Sequence, residues 1–442
     1  MRFAAPFVLI VLLLLTHACA AKVRPTECSK PTVTIITRVN IVDVETGVIR
    51  RDRILTLSGG KIFAETDMSG LGAIAAQVGP AETIDAGGAF AIPGLWDMHV
   101  HALWHEAVPQ FFFERFLAAG VTSIRDMGGD LAVAKTARRT LAACPAAGPN
   151  LWFPGPFLDG PQPVDPALSV AIATEDQARS AVRSLAAEGV DFIKVYSLLA
   201  PDLLEVVLDE ARRHGKRVSG HVPAATGASG AALRLASIEH LAIEAGGYCA
   251  PEDRARCATV FEALRANGVA QSPTLFVRER TTAMAREDFP APGDLDHYPA
   301  IVQQYWQDQR SLAIAKADAR WFAQRAVSIA HSRWMLATLN DLGAVILAGS
   351  DAGNPFVAPG SGLHDELEMM VAAGMSPRQA LQSATLAPAR FMGVTDRGGI
   401  AAGMRADFVL LERDPLAAIS NLRKVVAVYK DGVRVFSTGE AP

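Results

Sequence analysis

The sequence predicts an α/β protein: a (β/α)8 TIM barrel with a small β-sandwich domain formed from both chain ends. Three observations lead to this prediction. Apolar residues make up 50% of the 442 residues and charged residues 20%, which excludes intrinsic disorder and predicts a large buried core. Short apolar strands alternate with helical stretches through the centre of the chain, and β-rich segments lie at both ends.

The N-terminal segment is typical of a secretory signal peptide. Arg2 precedes an apolar run at 3–15, and small residues follow it. We predict that residues 1–20 form the signal, with cleavage after Ala20; a lipid attached to Cys19 is the alternative. The apolar run is shorter than the roughly 20 residues that a membrane span needs. The protein is therefore expected to be exported, periplasmic or secreted, without a stable membrane span after signal cleavage.

The two ends of the remaining chain have strand patterns. In 32–90, a β-branched run comes first, and two later strands flank the turn signal Ser58-Gly59-Gly60. In 396–440, three further strands are expected at 407–411, 425–429 and 433–436. We predict that these two segments form one composite β-sandwich domain.

The segment 91–395 repeats a strand-then-helix pattern, as a barrel requires. Eight candidate strands lie at 91–98, 122–126, 151–154, 192–196, 217–221, 237–240, 269–273 and 345–350. Thr174-Glu175-Asp176-Gln177 is a capping box, which predicts the start of an amphipathic helix. A polar and aromatic helical insertion at about 279–341 interrupts the repeat. In such a barrel, catalytic residues lie at the C-terminal ends of the strands.

Charge and cysteine content limit the function classes. The net charge of −4 gives no electrostatic reason to expect a nucleic-acid partner. If Cys19 leaves with the signal, four cysteines remain and allow three pairings. A bridge between Cys249 and Cys257, which are close in sequence, comes first, and small buried thiols are the alternative. The oligomeric state stays open, with a homo-oligomer among the alternatives.

Polar residues close several of the apolar strands. His99 and His101 end the first strand, and residues two apart in a strand point to the same side. His221 ends the fifth strand, His240 the sixth, and Asp351 follows the eighth. Imidazole and carboxylate are the usual ligands of zinc, so the pattern predicts a metal site at the barrel mouth.

Lys194 lies on the fourth strand and should point into the same mouth. A lysine among cations would be repelled as an ammonium ion, and burial lowers the pKa of its amine. A neutral amine can take up CO₂ and become a carbamate, an anionic ligand that could bridge two metals. A lysine paired with a carboxylate is the alternative, and position alone does not decide between them.

These motifs resemble those of the metal-dependent amidohydrolase superfamily, in its imidazolonepropionase-like and prolidase-like (Xaa-Pro dipeptidase-type) branch. The resemblance covers nearly everything after residue 32 and rests on PGLWDMHVH at 93–101, IKVY at 193–196, Gly220-His221, IEH at 238–240, GSD at 349–351, HDEL at 364–367, and GMRADFV at 403–409.

The resemblance implies two divalent metals, usually zinc. His99, His101 and Asp351 would hold one ion, His221 and His240 the other, and carboxylated Lys194 would bridge them. Asp351 would act as the general base for the attacking water and pass its proton to the leaving amine.

Other candidates are less specific. Tyr248 could donate a hydrogen bond to the oxyanion, and His364 or Arg125 could recognise a substrate carboxylate. Tyr196, two residues after Lys194, could contact substrate or be packed. Asp97 could orient a ligand. Glu239 alternates with His240 along the strand, so we expect it to face the surrounding helices.

The leading hypothesis is an exported hydrolase of C–N amide bonds in small molecules: a dipeptidase, a carboxypeptidase-like enzyme or an N-acyl-amino-acid amidohydrolase. The alternative is a cyclic-amide hydrolase or deaminase that works with one metal. A remote alternative is an exported binding protein that has lost activity.

Overall fold

The computed structural model describes residues 32–223, 232–241 and 253–438, together with Cys28, Gly230 and Cys249. The predicted signal at 1–20 therefore lies outside the described residues. The strands are β1 Thr34–Val42, β2 Ile49–Ser58, β3 Lys61–Thr66, β4 Glu82–Asp85, β5 Phe90–Pro93, β6 Leu95–Val100, β7 Val121–Asp126, β8 Asn150–Trp152, β9 Phe157–Asp159, β10 Ser169–Ala171, β11 Ile193–Val195, β12 Val218–Gly220, β13 Ser237–Glu239, β14 Ala270–Ser272, β15 Phe408–Leu411, β16 Val425–Lys430 and β17 Val433–Ser437. The helices are α1 Leu71–Val78, α2 Pro109–Ala118, α3 Leu131–Ala143, α4 Glu175–Ala187, α5 Pro201–Arg213, α6 Arg254–Ala266, α7 Leu275–Ala283, α8 Ala300–Lys316, α9 Ala319–Asp341, α10 Ser361–Ala372, α11 Pro377–Ser383 and α12 Leu386–Met392.

One mixed sheet contains strands from both ends of the chain. Its order is β17-β16-β15-β5-β1-β2-β3, and β4 also pairs with β1. The junction is the antiparallel pair of β5 and β15, in which Phe408 lies opposite Pro93. Buried side chains such as Ile36 fill one core beside this sheet, where the rings of Phe408 and Tyr429 stack 4.6 Å apart. The two predicted terminal segments thus share one sheet; the division of the chain into domains stays a prediction.

The central strands are parallel and alternate with helices, in a TIM-barrel-type α/β arrangement. They form a sheet of six, β10-β9-β11-β12-β13-β14, and a sheet of three, β6-β7-β8. The segment 345–352 lies between the two sheets. The N–H of Leu347 donates to the carbonyl of Gln271 in β14. The N–H of Met98 in β6 donates to the carbonyl of Ala348. Residues from β14 and β6 are thereby connected through the segment that carries Asp351.

The third predicted strand, 151–154, is shorter than expected and is followed by a strand that the sequence pattern did not indicate. β8 ends at Trp152 and pairs with β7, whereas β9 pairs with β10 and β11. Gly155 lies between β8 and β9 with φ 74°, a left-handed conformation that favours glycine. The chain turns there and moves from one parallel sheet to the other.

Helix starts follow the predicted chemistry. The hydroxyl of Thr174 accepts the N–H of Gln177, and the Gln177 side chain accepts the N–H of Thr174, so α4 begins at a complete capping box. The predicted insertion contains the end of α7 and the long helices α8 and α9. Within the described residues, no helix combines the length and the apolar character needed to cross a membrane.

Two disulfides join the cysteines that the structure describes. Cys249 is joined to Cys257, as the sequence spacing suggested, and Cys28 is joined to Cys144 across 116 residues. The bridge between Cys28 and Cys144 links a residue before β1 to the residue that follows α3. The imidazole Nε2 of His331 on α9 lies 2.9 Å from the carbonyl oxygen of Cys249, so the helical insertion also contacts the first bridge.

Candidate metal centre

Four histidines, one lysine and one aspartate meet at the ends of the parallel strands. His99 lies in β6 and His101 just after it, while His221 and His240 each follow directly on β12 and β13. Lys194 is the middle residue of β11, and Asp351 lies in the segment 345–352 between β14 and β6. Parallel strands bring their C-terminal ends to one face, which explains why residues so far apart in sequence come together.

The shortest separations define the centre around Asp351. Its Oδ1 lies 3.5 Å from Nε2 of His99 and 3.4 Å from Nε2 of His101. Its Oδ2 lies 3.8 Å from Nδ1 of His240. One ligand atom from each of His99, His240 and Asp351 falls within 4.8 Å of the others, and all three residues are buried.

His221 and Lys194 complete the cluster. The ring centres of His221 and His240 are 4.8 Å apart, and those of His99 and His240 are 4.6 Å apart. The Lys194 side chain is fully buried, and its Nζ lies 5.9 Å from the ring centre of Tyr196. The six predicted ligands therefore lie in one place, although their role as ligands stays a prediction.

Each imidazole has an oxygen partner at Nδ1. The partners are the Glu239 carboxylate for His99 at 2.8 Å, the Gly128 carbonyl for His101 at 3.1 Å, the Ser197 hydroxyl for His221 at 2.8 Å and the Thr274 hydroxyl for His240 at 2.6 Å. A proton on Nδ1 leaves the lone pair on Nε2, which is the usual arrangement of metal-binding histidines. The Nε2 of His99 is buried and has no hydrogen-bond partner among the described residues.

The electrostatics favour neutral imidazoles. Burial is the main cause that lowers the pKa of His101 to about 4 and that of His221 well below its usual range, and any positive charge on Lys194 acts in the same direction. Burial, followed by neighbouring cations, does the same for the pKa of His99 and His240. Neutral imidazole is the form that binds a metal. Burial also raises the pKa of the carboxyls of Asp97 and Asp126 to about 7.

These residues fit divalent metal ions. Four imidazoles and a carboxylate are a donor set that zinc accepts, and their outer oxygen partners are in place. The buried Nε2 of His99, which lacks a hydrogen-bond partner among the described residues, is the observation that decides the fit, because a buried nitrogen without a partner is otherwise costly.

Glu239 contradicts its prediction. It does not face the helices: its carboxylate contacts His99 and accepts two hydrogen bonds from Arg125, at 2.9 and 3.1 Å. The strand alternation fails because His240 has φ 57°, outside the extended range. β13 ends at Glu239, and the left-handed turn at His240 lets the consecutive side chains of Glu239 and His240 both reach the cluster around His99.

Arg125 is committed to this network. It is buried, and its other nitrogens donate to the Met98 carbonyl at 2.7 Å and to the Ser237 hydroxyl at 2.9 Å. All three guanidinium nitrogens are therefore engaged inside the protein. The placement gives no support to the prediction that Arg125 binds a substrate carboxylate.

His364 is also placed away from the cluster. It lies on α10, where its Nε2 is 2.9 Å from the Ala119 carbonyl oxygen, and none of its described contacts is a predicted ligand. Tyr196 packs between Phe157, stacked at 4.8 Å, and His221 at 4.1 Å, so it is beside the centre. Tyr248 lies outside the described residues. Asp97 accepts the N–H of Ser350 at 2.9 Å and thereby supports the segment before Asp351.

Sequence reasoning missed the outer partners Glu239, Ser197, Thr274 and Asn354. Asn354 donates to Oδ1 of Asp351 at 2.7 Å. Because Asn354 follows Asp351 by only three residues, its position in the sequence could have indicated this contact. Ser197 and Thr274 each follow a candidate strand, as the ligands do, but hydroxyl residues in such loops are too common to select. Glu239 was hidden by the irregular backbone at His240.

The sequence and the fold were compared with known proteins. A family model described as the amidohydrolase family matches residues 90–435. The solved structure of bottromycin amidohydrolase is 24% identical with a TM-score of 0.73, covering 92% of this chain and 88% of that one. A Xaa-Pro dipeptidase with bound methionine in the active site is 21% identical with a TM-score of 0.69, covering 92% of this chain and all of that one at 100%. Identities this low show a shared fold, of TIM-barrel type.

Local sequence matches point to a different activity. Adenine deaminase 2 from Shouchella clausii (strain KSM-K16) is 44% identical over 66 residues, which is 15% of this chain. The match spans only 10% of that deaminase's length. So short a stretch does not assign the activity of that deaminase to this chain.

Proposed function

We propose, from the premise that this chain belongs to the amidohydrolase family and hydrolyses carbon–nitrogen bonds, that its substrates are dipeptides or N-acyl amino acids. The observation that carries the proposal is the cluster of four imidazoles, three of them buried, with the buried Asp351 and Lys194. The Xaa-Pro dipeptidase and the bottromycin amidohydrolase are the structural neighbours that support this substrate class.

We infer that the centre holds two divalent ions, most simply zinc. His99, His101 and Asp351 would hold one, His221 and His240 the other, and a carbamate on Lys194 would bridge them. Bound divalent ions lower the pKa of water toward about 7 and polarise a carbonyl group. The carbamate forms when the neutral amine of Lys194 attacks the carbon of CO₂ and loses a proton; complete burial of this side chain favours the neutral amine.

Asp351 would move the proton. Its carboxylate lies against two imidazole Nε2 atoms and is held by the amide of Asn354 at 2.7 Å. It takes a proton from the attacking water and gives it to the leaving nitrogen, which must depart protonated. The imidazoles, fixed by Glu239, Gly128, Ser197 and Thr274, keep the surroundings of Asp351 in one geometry.

The test combines a substrate panel with metal analysis. Purified protein, supplied with zinc and bicarbonate, is expected to hydrolyse at least some members of a panel of dipeptides and N-acyl amino acids. The variant Lys194→Ala should bind one ion fewer, measured by mass spectrometry of the native protein and by elemental analysis. Failure to turn over any member while metal is bound would refute the peptide-type proposal, and unchanged metal content in Lys194→Ala would refute the carbamate bridge.

A second candidate is deamination or cyclic-amide hydrolysis with one metal. The local matches to adenine deaminases favour it. One ion per chain in the wild type, with release of ammonia from adenine or opening of a cyclic amide, would select this candidate. A protein that binds no metal and gains no thermal stability from zinc would instead favour a binding protein without activity.

Export is part of the proposal. Two disulfides join the described cysteines, and disulfides persist in oxidising compartments. Protein sequencing of the mature chain is expected to begin at Ala21. A blocked N-terminus with a lipid on Cys19 would replace soluble export by membrane anchoring, and an intact Met1 would refute cleavage.

A further inference from the structure

A cavity of about 580 Å³ is lined by none of the six predicted metal ligands. Its walls come from α2, α7, α10, the segment between Asp351 and α10, and the last strand β17. The volume lies within the range of about 300–1,000 Å³ that is usual for small-molecule sites. The chemistry of the walls shows what kind of molecule fits.

Three arginines line this cavity, and two of them are neutralised. Arg115 pairs with Asp294 at 2.8 Å, and Arg423 pairs with Asp365 at 2.6 Å and with Glu368 at 2.7 Å. His364 is also in the wall, but burial lowers its pKa to about 4, so it adds no charge at neutral pH. The third arginine, Arg280, differs from the other two in its partners.

Arg280 has no carboxylate within ion-pair distance among the described residues. Its Nε donates to the Phe356 carbonyl at 3.0 Å, which fixes the plane of the guanidinium. The guanidinium carbon also lies 4.6 Å from the centre of the Phe289 ring. A half-buried guanidinium that is held in place and lacks an anionic partner is suited to bind a carboxylate with two hydrogen bonds.

The rest of the wall is mainly apolar and includes four aromatic rings, while the hydroxyl residues Ser361 and Thr438 add polar atoms. Phe276, Tyr298, Phe356 and Phe436 line the cavity together with two prolines, Pro292 and Pro359. Such walls bind a flat or branched hydrocarbon body, while a single polar anchor sets its orientation.

We propose that this cavity is a second ligand site, separate from the metal centre, which binds an organic monocarboxylate with an apolar or aromatic body. Arg280 binds the carboxylate, and the aromatic wall covers the body. The proposal does not depend on the reaction catalysed at the metal centre, because no predicted ligand takes part in it.

The test is a calorimetric titration of the metal-loaded full chain with 3-phenylpropionate and with its neutral analogue 3-phenylpropionamide. The carboxylate should bind and the amide should bind at least tenfold more weakly. Arg280→Met should weaken carboxylate binding at least tenfold, whereas Arg413→Met, at a side chain 66% exposed, should leave it unchanged. Metal content should be the same in all three proteins.

A second variant covers the case in which Arg280→Met does not fold. Ala118 lines the cavity, and Ala118→Phe should block it while Arg280 stays in place. His101→Ala at the metal centre should leave binding intact. Carboxylate binding that survives both Arg280→Met and Ala118→Phe, or that disappears in His101→Ala, would overturn the proposal and assign the probe to the metal centre. No detectable binding of 3-phenylpropionate by the wild type would also overturn it.

Discussion

Glu239 joins two buried charges at the edge of the metal centre. It accepts from Arg125 and from the hydroxyl of Ser237, and it lies 2.8 Å from Nδ1 of His99. The Arg125 cation offsets much of the burial penalty, so that the pKa of the Glu239 carboxyl stays below its usual value. An ionised carboxylate in this place makes the opposite nitrogen of His99 a better ligand.

We expect Glu239→Gln to lower zinc affinity by about 10- to 100-fold, because an amide polarises His99 less than a carboxylate does. Competition with a chromogenic chelator measures the affinity. Glu210→Gln, at another buried glutamate bound to arginines, is the matched control and should keep wild-type affinity. Equal zinc affinity in Glu239→Gln and the wild type would show that His99 does not depend on this carboxylate.

Glu366 on α10 gives a prediction for pH. Its side chain is fully buried and accepts the N–H of Phe276 at 2.7 Å, and burial raises its pKa from 4.5 to about 8. The folded chain therefore holds a proton that the unfolded chain has lost between these two values. Stability from this group is complete below about pH 4.5 and is lost as the pH rises toward about 8.

Replacing Glu366 by Gln should remove this loss of stability at rising pH, because the glutamine side chain does not ionise. Relative to the wild type, Glu366→Gln should gain stability with rising pH by about 1 kcal/mol per pH unit within this window. Urea unfolding at pH 5, 6, 7 and 8 measures the difference. Glu262→Gln, at a side chain 56% exposed on α6, should show no such trend. A stability difference that does not change with pH would mean that Glu366 is ionised throughout.

At the scale of residues, the clustering of the six predicted ligands could be predicted from the sequence, but the direction of the neighbouring side chains could not. The four histidines and Asp351 follow apolar runs, a pattern that is visible in the sequence, whereas Lys194 lies within such a run. The direction of the Glu239 side chain depends on the left-handed φ of 57° at His240. The residue types of Ile238-Glu239-His240 do not indicate this backbone conformation. Asp351 likewise has φ 62°, a conformation that is uncommon for residues other than glycine, although aspartate and histidine adopt it more often than most.

At the scale of elements, β12 is packed too closely against β11 to accept a side chain at its last residue. Gly220 has φ 148°, and a Cβ there would lie 2.1 Å from the carbonyl oxygen of Val195. A backbone atom cannot move aside as a flexible side chain can. Gly220 therefore sets the spacing of the two strands that carry Lys194 and His221.

We expect Gly220→Ala to lower the free energy of unfolding by about 3 kcal/mol or more, because strands must separate and the backbone is strained. Gly72→Ala is the control, since nothing lies within 4 Å of a Cβ at this position in α1. It should be neutral or stabilise the protein by up to about 1 kcal/mol. Chemical unfolding followed by circular dichroism compares the two; equal stability would contradict the close packing.

The type of an element could be predicted where its hydrophobic pattern was long or where a capping motif marked the start of a helix. The capping box at Thr174 and the β-branched run that became β1 are examples. The short parallel strands were harder: β9 has three residues and follows the turn at Gly155, so it gives almost no periodic signal. Its place is set by pairing with β10 and β11, which are distant in sequence.

At the scale of the whole molecule, the bridge between Cys28 and Cys144 closes a loop of 116 residues. In the chain-entropy model, a bridge across so long a loop stabilises a protein by about 4–5 kcal/mol, mainly by restricting the unfolded chain. We expect the double variant Cys28→Ser/Cys144→Ser to lose about 2–5 kcal/mol of stability. Unfolding in denaturant, without reductant, is the measurement.

The bridge between Cys249 and Cys257 provides the comparison, because it closes a loop across only 8 residues. Cys249→Ser/Cys257→Ser should therefore cost less than the long-range pair. A greater loss for the short loop would show that contacts of the bridge, such as the one with His331, outweigh loop entropy.

The pairing of β5 with β15 also means that the mixed sheet can be completed only after the end of the chain has been synthesised. β1, β2 and β3 are made early, but β5 gains its other neighbour only when β15 has been synthesised near the end of the chain. A nascent or partly translocated chain thus carries an open sheet edge at β5, which is a template for aggregation. If the protein is exported across a membrane, β1 to β5 emerge on the far side before β15 does. A chaperone that covers the unpaired edge of β5 would then be needed in that compartment.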